Sequence, residues 1–132
     1  VLAALFIALC RAADLPARWR SGWFLKPAGG TMHDWAEFFA PPWGWLPCDP
    51  TYGPLDDDDP AVRDFFCGGL DAFRFSANRA VAAPLHPPKA SWRSEPFDFQ
   101  RGEVERLADD GPENLFFDAW THDVRWTSEP LD

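Results

Sequence analysis

The sequence predicts an α+β fold in which one buried helix packs on an antiparallel sheet. The chain begins on an apolar run, Val1 to Cys10, and continues in short aromatic segments punctuated by proline and glycine turns. Composition supports a packed core: 46% of the 132 residues are hydrophobic, with eight Trp and twelve Phe, which excludes a disordered polar tail.

The apolar run is read as a buried helix. It is too short to cross a bilayer, and it has neither an initiator Met nor the basic leader of a signal peptide. No Ser, Thr, Asp or Asn caps it, so a helix whose beginning lies upstream is expected. It should end near Ala13, because Pro16 pushes the residue before it out of helical geometry. Ala17 to Leu25 is a strand, closed by the turn-forming Pro27-Ala-Gly-Gly30. His33 to Phe39 and Gly44 to Cys48 form a hairpin joined by Ala40-Pro-Pro-Trp43.

Asp56 to Asp59 are four adjacent carboxylates that would repel one another in a compact element, so they mark a loop. They lack the alternating spacing of a calcium loop, which favours a solvated acidic turn. A short helix is expected from Pro60 to Cys67, then a break at Gly68-Gly69 and a strand around Ala72 to Ala80. Ala83 to Pro96 should be irregular, and Leu115 to Thr127 one long strand or a hairpin. The expected division is a core over 1–55 and an extension over 56–132.

A net charge of −9 excludes a nucleic-acid backbone as the natural partner, since both surfaces are anionic. No segment calls for direct insertion into a membrane. Cys10, Cys48 and Cys67 are too widely spaced for a disulfide framework or a CxxC site, which leans the reading toward a reducing, cytoplasmic compartment.

Three strings carry chemistry in order: Arg11-Ala-Ala-Asp-Leu-Pro-Ala-Arg18, His33-Asp-Trp-Ala-Glu37 and Gly44-Trp-Leu-Pro-Cys-Asp49-Pro-Thr51. Each alone is weak; their joint order and spacing over residues 1–53 resemble the core of the transglutaminase-like superfamily. That family reads G-x-C at a helix start, then R-A-x-G-I-P-A-R, H-x-W-x-E and G-W-x-x-x-D-P-T. The resemblance implies a papain-like fold and a Cys/His/Asp cysteine hydrolase or peptidase acting on an amide or peptide bond of a peptide or protein substrate. His33 would be the base and Asp49 its orienting partner, with no cofactor and no metal. Counting back from Arg11 places the nucleophile two residues before Val1, so this segment alone is expected to be inactive. Asp14 stands where the family has Gly, a change at a helix C-terminus rather than in the chemistry. The alternative is a relative without catalysis that serves as a binding or scaffold module.

The remaining residues carry simpler readings. Cys10 lies far along the helix and is expected in the core; Cys48 should face away from Asp49, which disfavours a metal site from His33, Cys48 and Asp49. Trp35, Glu37 and Trp45 match family positions as packing residues, and Arg18 as a structural partner for a carboxylate. His86 and His122 have no ligand-type neighbours at useful spacing, so exposed or capping roles are expected. Phe65 to Asp71 and Asn114 to Phe117 are similar to extensions in some bacterial transglutaminase-like proteins, implying added strands on the core.

Overall fold

The computed structural model describes residues 2–26, 30–95, 100, 102–115, 125, 127 and 129. Helix α1 spans Leu2–Ala12 and buries Ala3, Ile7 and Cys10, one residue per turn along a single face. It ends in a Schellman arrangement: the Leu15 N–H donates to Cys10 O at 2.9 Å and the Asp14 N–H to Arg11 O at 3.2 Å. Asp14 supplies the left-handed residue this cap demands, with φ of 58°. Leu15 then folds back against the cluster of Ile7, Cys10, Ala17 and Ala36.

Strands β1 (Ala17–Phe24), β2 (Thr31–Ala40) and β3 (Gly44–Cys48) follow. With β4 (Arg74–Asn78) they make an antiparallel sheet in the order β3-β2-β1-β4. The helix and the first three strands lie within a residue or two of the sequence expectation. Alternation assigns the faces. Ala17, Trp19, Ala36 and Phe38 meet α1. Arg20, Gly22 and Phe24 lie opposite Trp35, His33 and Thr31, so these positions share the other face.

Gly22 lets β4 join the sheet. A Cβ there would stand 1.9 Å from the Phe75 carbonyl oxygen, an approach no side chain permits. The β1–β4 register shifts between Ser21 and Gly22, and Arg74 comes to lie opposite Phe24.

Between β3 and β4, helix α2 is shorter than expected, Pro60–Arg63. Asp59 caps it by accepting from the Ala61 N–H at 2.9 Å, and Asp57 accepts from the Asp59 N–H at 2.8 Å. Part of the acidic run thus closes turns. No strand or helix occurs over 83–95, as expected of that proline-rich stretch. A second sheet, not anticipated from sequence, pairs β5 (Glu105–Ala108) with β6 (Gly111–Asn114). The expected strand over 115–127 falls almost wholly outside the described residues, as does His122. Among the described residues no helix is long and apolar enough to cross a membrane.

Candidate active site

His33 and Asp49 meet where β2 and β3 diverge. Ala36 pairs with Cys48, the last residue of β3, so the residue that follows enters beside Trp35 on the face that carries His33. His33 Nε2 and Asp49 Oδ2 lie 2.6 Å apart, and the Asp49 side chain is fully buried. The Asp49-Pro50-Thr51 string forms an Asx turn in which Oδ1 accepts from the Thr51 N–H at 3.1 Å. One carboxylate oxygen is thus held by backbone and the other is turned to His33.

A third group, which the motifs did not indicate, completes the arrangement. Arg74 Nη1 donates to Asp49 Oδ2 at 2.6 Å, and Arg74 Nε to Asp71 Oδ2 at 3.1 Å. The Arg74 side chain is 3% exposed, and its guanidinium packs over the rings of Phe24 and Tyr52, at 4.3 and 5.2 Å from their centroids. His33 touches the same two rings. The signal in sequence was the pair Asp71 and Arg74, three residues apart, but nothing local says that the arginine reaches 25 positions back to Asp49.

Burial pushes the Asp49 carboxyl up, yet the hydrogen bond and charge of His33, the Thr51 N–H and the Arg74 cation outweigh it. They hold Asp49 below the usual carboxylate range, so it accepts the proton of His33 Nε2. Nδ1 is then the ring nitrogen able to take a proton.

His33 also lines a cavity of about 290 Å³ with Met32, Asp34 and Thr51, closed on one side by Leu2 and Ala3 of the first turn of α1. The first described turn of α1 therefore borders the same cavity as the histidine. A larger cavity, about 480 Å³, lies along α1 beside Arg79 and Val81 and contains neither His33 nor Asp49. Gln100 reaches the backbone of the paired strands, donating to Gly22 O at 3.1 Å and to His33 O at 3.0 Å.

The other matched residues brace the sheet. Glu37 Oε2 accepts from Arg18 Nε at 2.5 Å and Oε1 pairs with Arg20 Nη2 at 2.9 Å. Arg18 in turn lies over the Trp45 ring at 4.0 Å. Burial raises the Glu37 carboxyl, but the two guanidiniums prevail and hold it below its ordinary value. Trp35 is buried. Cys10 sits in the core, its thiol pushed up by burial and then by Cys67. Cys48 ends β3 opposite Ala36, and Asp49 follows it beside His33. His86 is exposed and borders a separate cavity with Lys89 and Glu103. Among the described residues no three His, Cys, Asp or Glu side chains are placed to hold a metal ion.

The fold and the site define an α+β protein with a buried, cation-clamped His–Asp pair beside the first described turn of α1. Residues 1–50 match the family model described as the transglutaminase-like superfamily. No curated protein and no solved structure matches the chain.

Proposed function

We propose that the chain supplies the base and the orienting carboxylate of a transglutaminase-like cysteine hydrolase or peptidase. The 2.6 Å contact between His33 Nε2 and Asp49 Oδ2, beside the first turn of α1, carries this reading. Residues 1–55 are the catalytic core in this proposal and 56–132 an extension.

The nucleophile is a thiol at the N-terminal end of α1, where the helix dipole favours its thiolate. His33 Nδ1 takes the thiol proton, and the thiolate adds to the carbonyl carbon of a peptide or protein amide. As the carbon–nitrogen bond breaks, His33 returns the proton to the departing amine or ammonia and a thioester remains. Water then resolves it in a hydrolase, or a second amine in a transamidase. Asp49 keeps the Nε2 proton in place and stabilises the imidazolium formed in each half of the cycle. Arg74 acts through Asp49, keeping that carboxylate charged and fixed.

The test has two parts. Translation of the codons upstream of Val1 is expected to show a cysteine two residues before it. In the complete protein, His33→Ala is expected to abolish thioester formation, read by mass spectrometry with an activated amide, while circular dichroism stays unchanged. Another residue at the upstream position would favour the non-catalytic binding module, and normal turnover by the variant would remove His33 from the mechanism.

A further inference from the structure

Cys48 and Cys67 are 19 positions apart in sequence, yet they face each other as an isolated antiparallel bridge. The flanking hydrogen bonds define which kind of pair this is. The Asp49 N–H donates to Phe66 O and the Gly68 N–H to Pro47 O, each at 2.8 Å. These bonds lie one residue outside the pair on both sides, so the cysteines occupy a non-hydrogen-bonded site. At such sites Cα atoms approach to about 4.5 Å and side chains stand closest. A disulfide tolerates Cα separations of about 4.4–6.8 Å.

We propose that Cys48 and Cys67 form a redox-active dithiol that closes into an intramolecular disulfide on reaction with a low-molecular-weight disulfide such as oxidised glutathione. The geometry divides the roles. Cys67 is exposed and Cys48 buried. The two border one cavity of about 200 Å³ together with Phe6, Asp49 and Phe66. Burial first, then the charge and hydrogen bond of Cys67, push the Cys48 thiol up to about 12, so Cys48 stays protonated while Cys67 is the group that reacts with solvent species.

Cys67, after losing its proton to water, attacks one sulfur of the small disulfide. That sulfur–sulfur bond breaks and one thiolate leaves, giving a mixed disulfide on Cys67. Cys48 then attacks the Cys67 sulfur, passing its proton to the second departing thiolate. The protein dithiol is oxidised by two electrons, and one small disulfide becomes two thiols. Cys10 lies near enough to push up the Cys48 thiol but is packed among Ile7, Ala17 and Ala36, and it is not part of the pair. The disulfide would tie the end of β3 to residues 66–68, directly beside Asp49. The inference needs no catalytic activity and stands apart from the proposed function.

The experiment uses the whole 132-residue chain. It is incubated under native conditions in mixtures of reduced and oxidised glutathione, trapped with N-ethylmaleimide after denaturation, and mapped by mass spectrometry. The expected result is loss of two hydrogens, one alkylated cysteine at Cys10, and a peptide joined through Cys48 and Cys67. Cys10→Ser should close the same bond, and Cys48→Ser should stop at a glutathione adduct on Cys67. If Cys48→Ser does not fold, the wild-type and Cys10→Ser maps still decide the question. A lasting glutathione adduct on wild-type Cys67 with Cys48 free, a linkage through Cys10, or a bond between two chains would each overturn the proposal.

Discussion

Asp49 and Glu103, one in each half of the chain, have carboxylates almost wholly removed from water, and they are satisfied in different ways. Glu103 accepts from Lys89 Nζ at 2.5 Å, from Ser94 Oγ at 2.7 Å and from the Glu95 N–H at 2.8 Å. Burial pushes it up, yet Lys89, Ser94 and the two backbone N–H groups bring it down to about 2. Those partners are an ammonium, a hydroxyl and backbone N–H groups, and this knot fastens the irregular 89–95 stretch to the residues preceding β5. Asp49 is also buried and held low, but one of its partners is a histidine bordering an open cavity. The same electrostatics makes a rivet in one place and, in the proposed function, a working part in the other. Access and a titratable partner make the difference.

Activity of the complete protein gives the widest separation. Asp49→Asn should lower turnover by roughly four orders of magnitude, because an amide no longer favours the His33 tautomer that leaves Nδ1 free to accept. Glu103→Gln should leave turnover unchanged at temperatures where it is folded. Equal losses in the two variants, measured at matched folded fractions, would erase the distinction.

Stability should run the other way. Glu103→Ala strips buried Lys89 of its hydrogen-bonded counter-charge, a change that costs about 3–5 kcal/mol by urea unfolding. Replacing Lys89 with Met as well should recover most of that loss. The pH dependence follows from the direction of the shift: a carboxyl depressed in the folded state adds stability above its unfolded value. That stability is lost as pH falls from the ordinary 4.5 through about 2. Glu103→Gln should therefore flatten the acid limb of the stability curve in that window, and an unchanged limb would show that Glu103 does not drive it.

Joining the two halves depends on Gly22. Gly22→Ala should cost about 1–3 kcal/mol, since β4 must back away from a Cβ that meets main chain rather than a movable side chain. The informative readout is local: hydrogen exchange at Trp23 and Phe75 should accelerate while α1 keeps its protection. Uniform acceleration would mean that β4 is no separate attachment.

The same division marks what the sequence could disclose. The pairing of His33 with Asp49 was legible because their strings belong to one hairpin, where register follows from a three-residue connection. Arg74 and the Cys48–Cys67 bridge were not, because each depends on how the chain returns after the long acidic loop, and spacing says nothing about that. The β5–β6 hairpin carries a local signal in the Asp109-Asp110-Gly111 turn, with Gly111 at φ of 127°.

Asp14 shows a motif departure turning into a measurable cost. The family places Gly before the proline element, and the structure supplies a reason: the position is C′ of a Schellman cap and takes a left-handed φ of 58°. An L-residue there costs about 1–2 kcal/mol, somewhat less for Asp, whose short polar side chain tolerates the region. Asp14→Gly should thus stabilise the 132-residue chain by up to about 1 kcal/mol, seen as a higher urea midpoint at constant slope. The Leu15 contact with the helix core should be unaffected. A lower midpoint would mean that the Asp14 carboxylate holds the cap through a contact outweighing the backbone preference. The family's glycine would then owe its place to something other than φ.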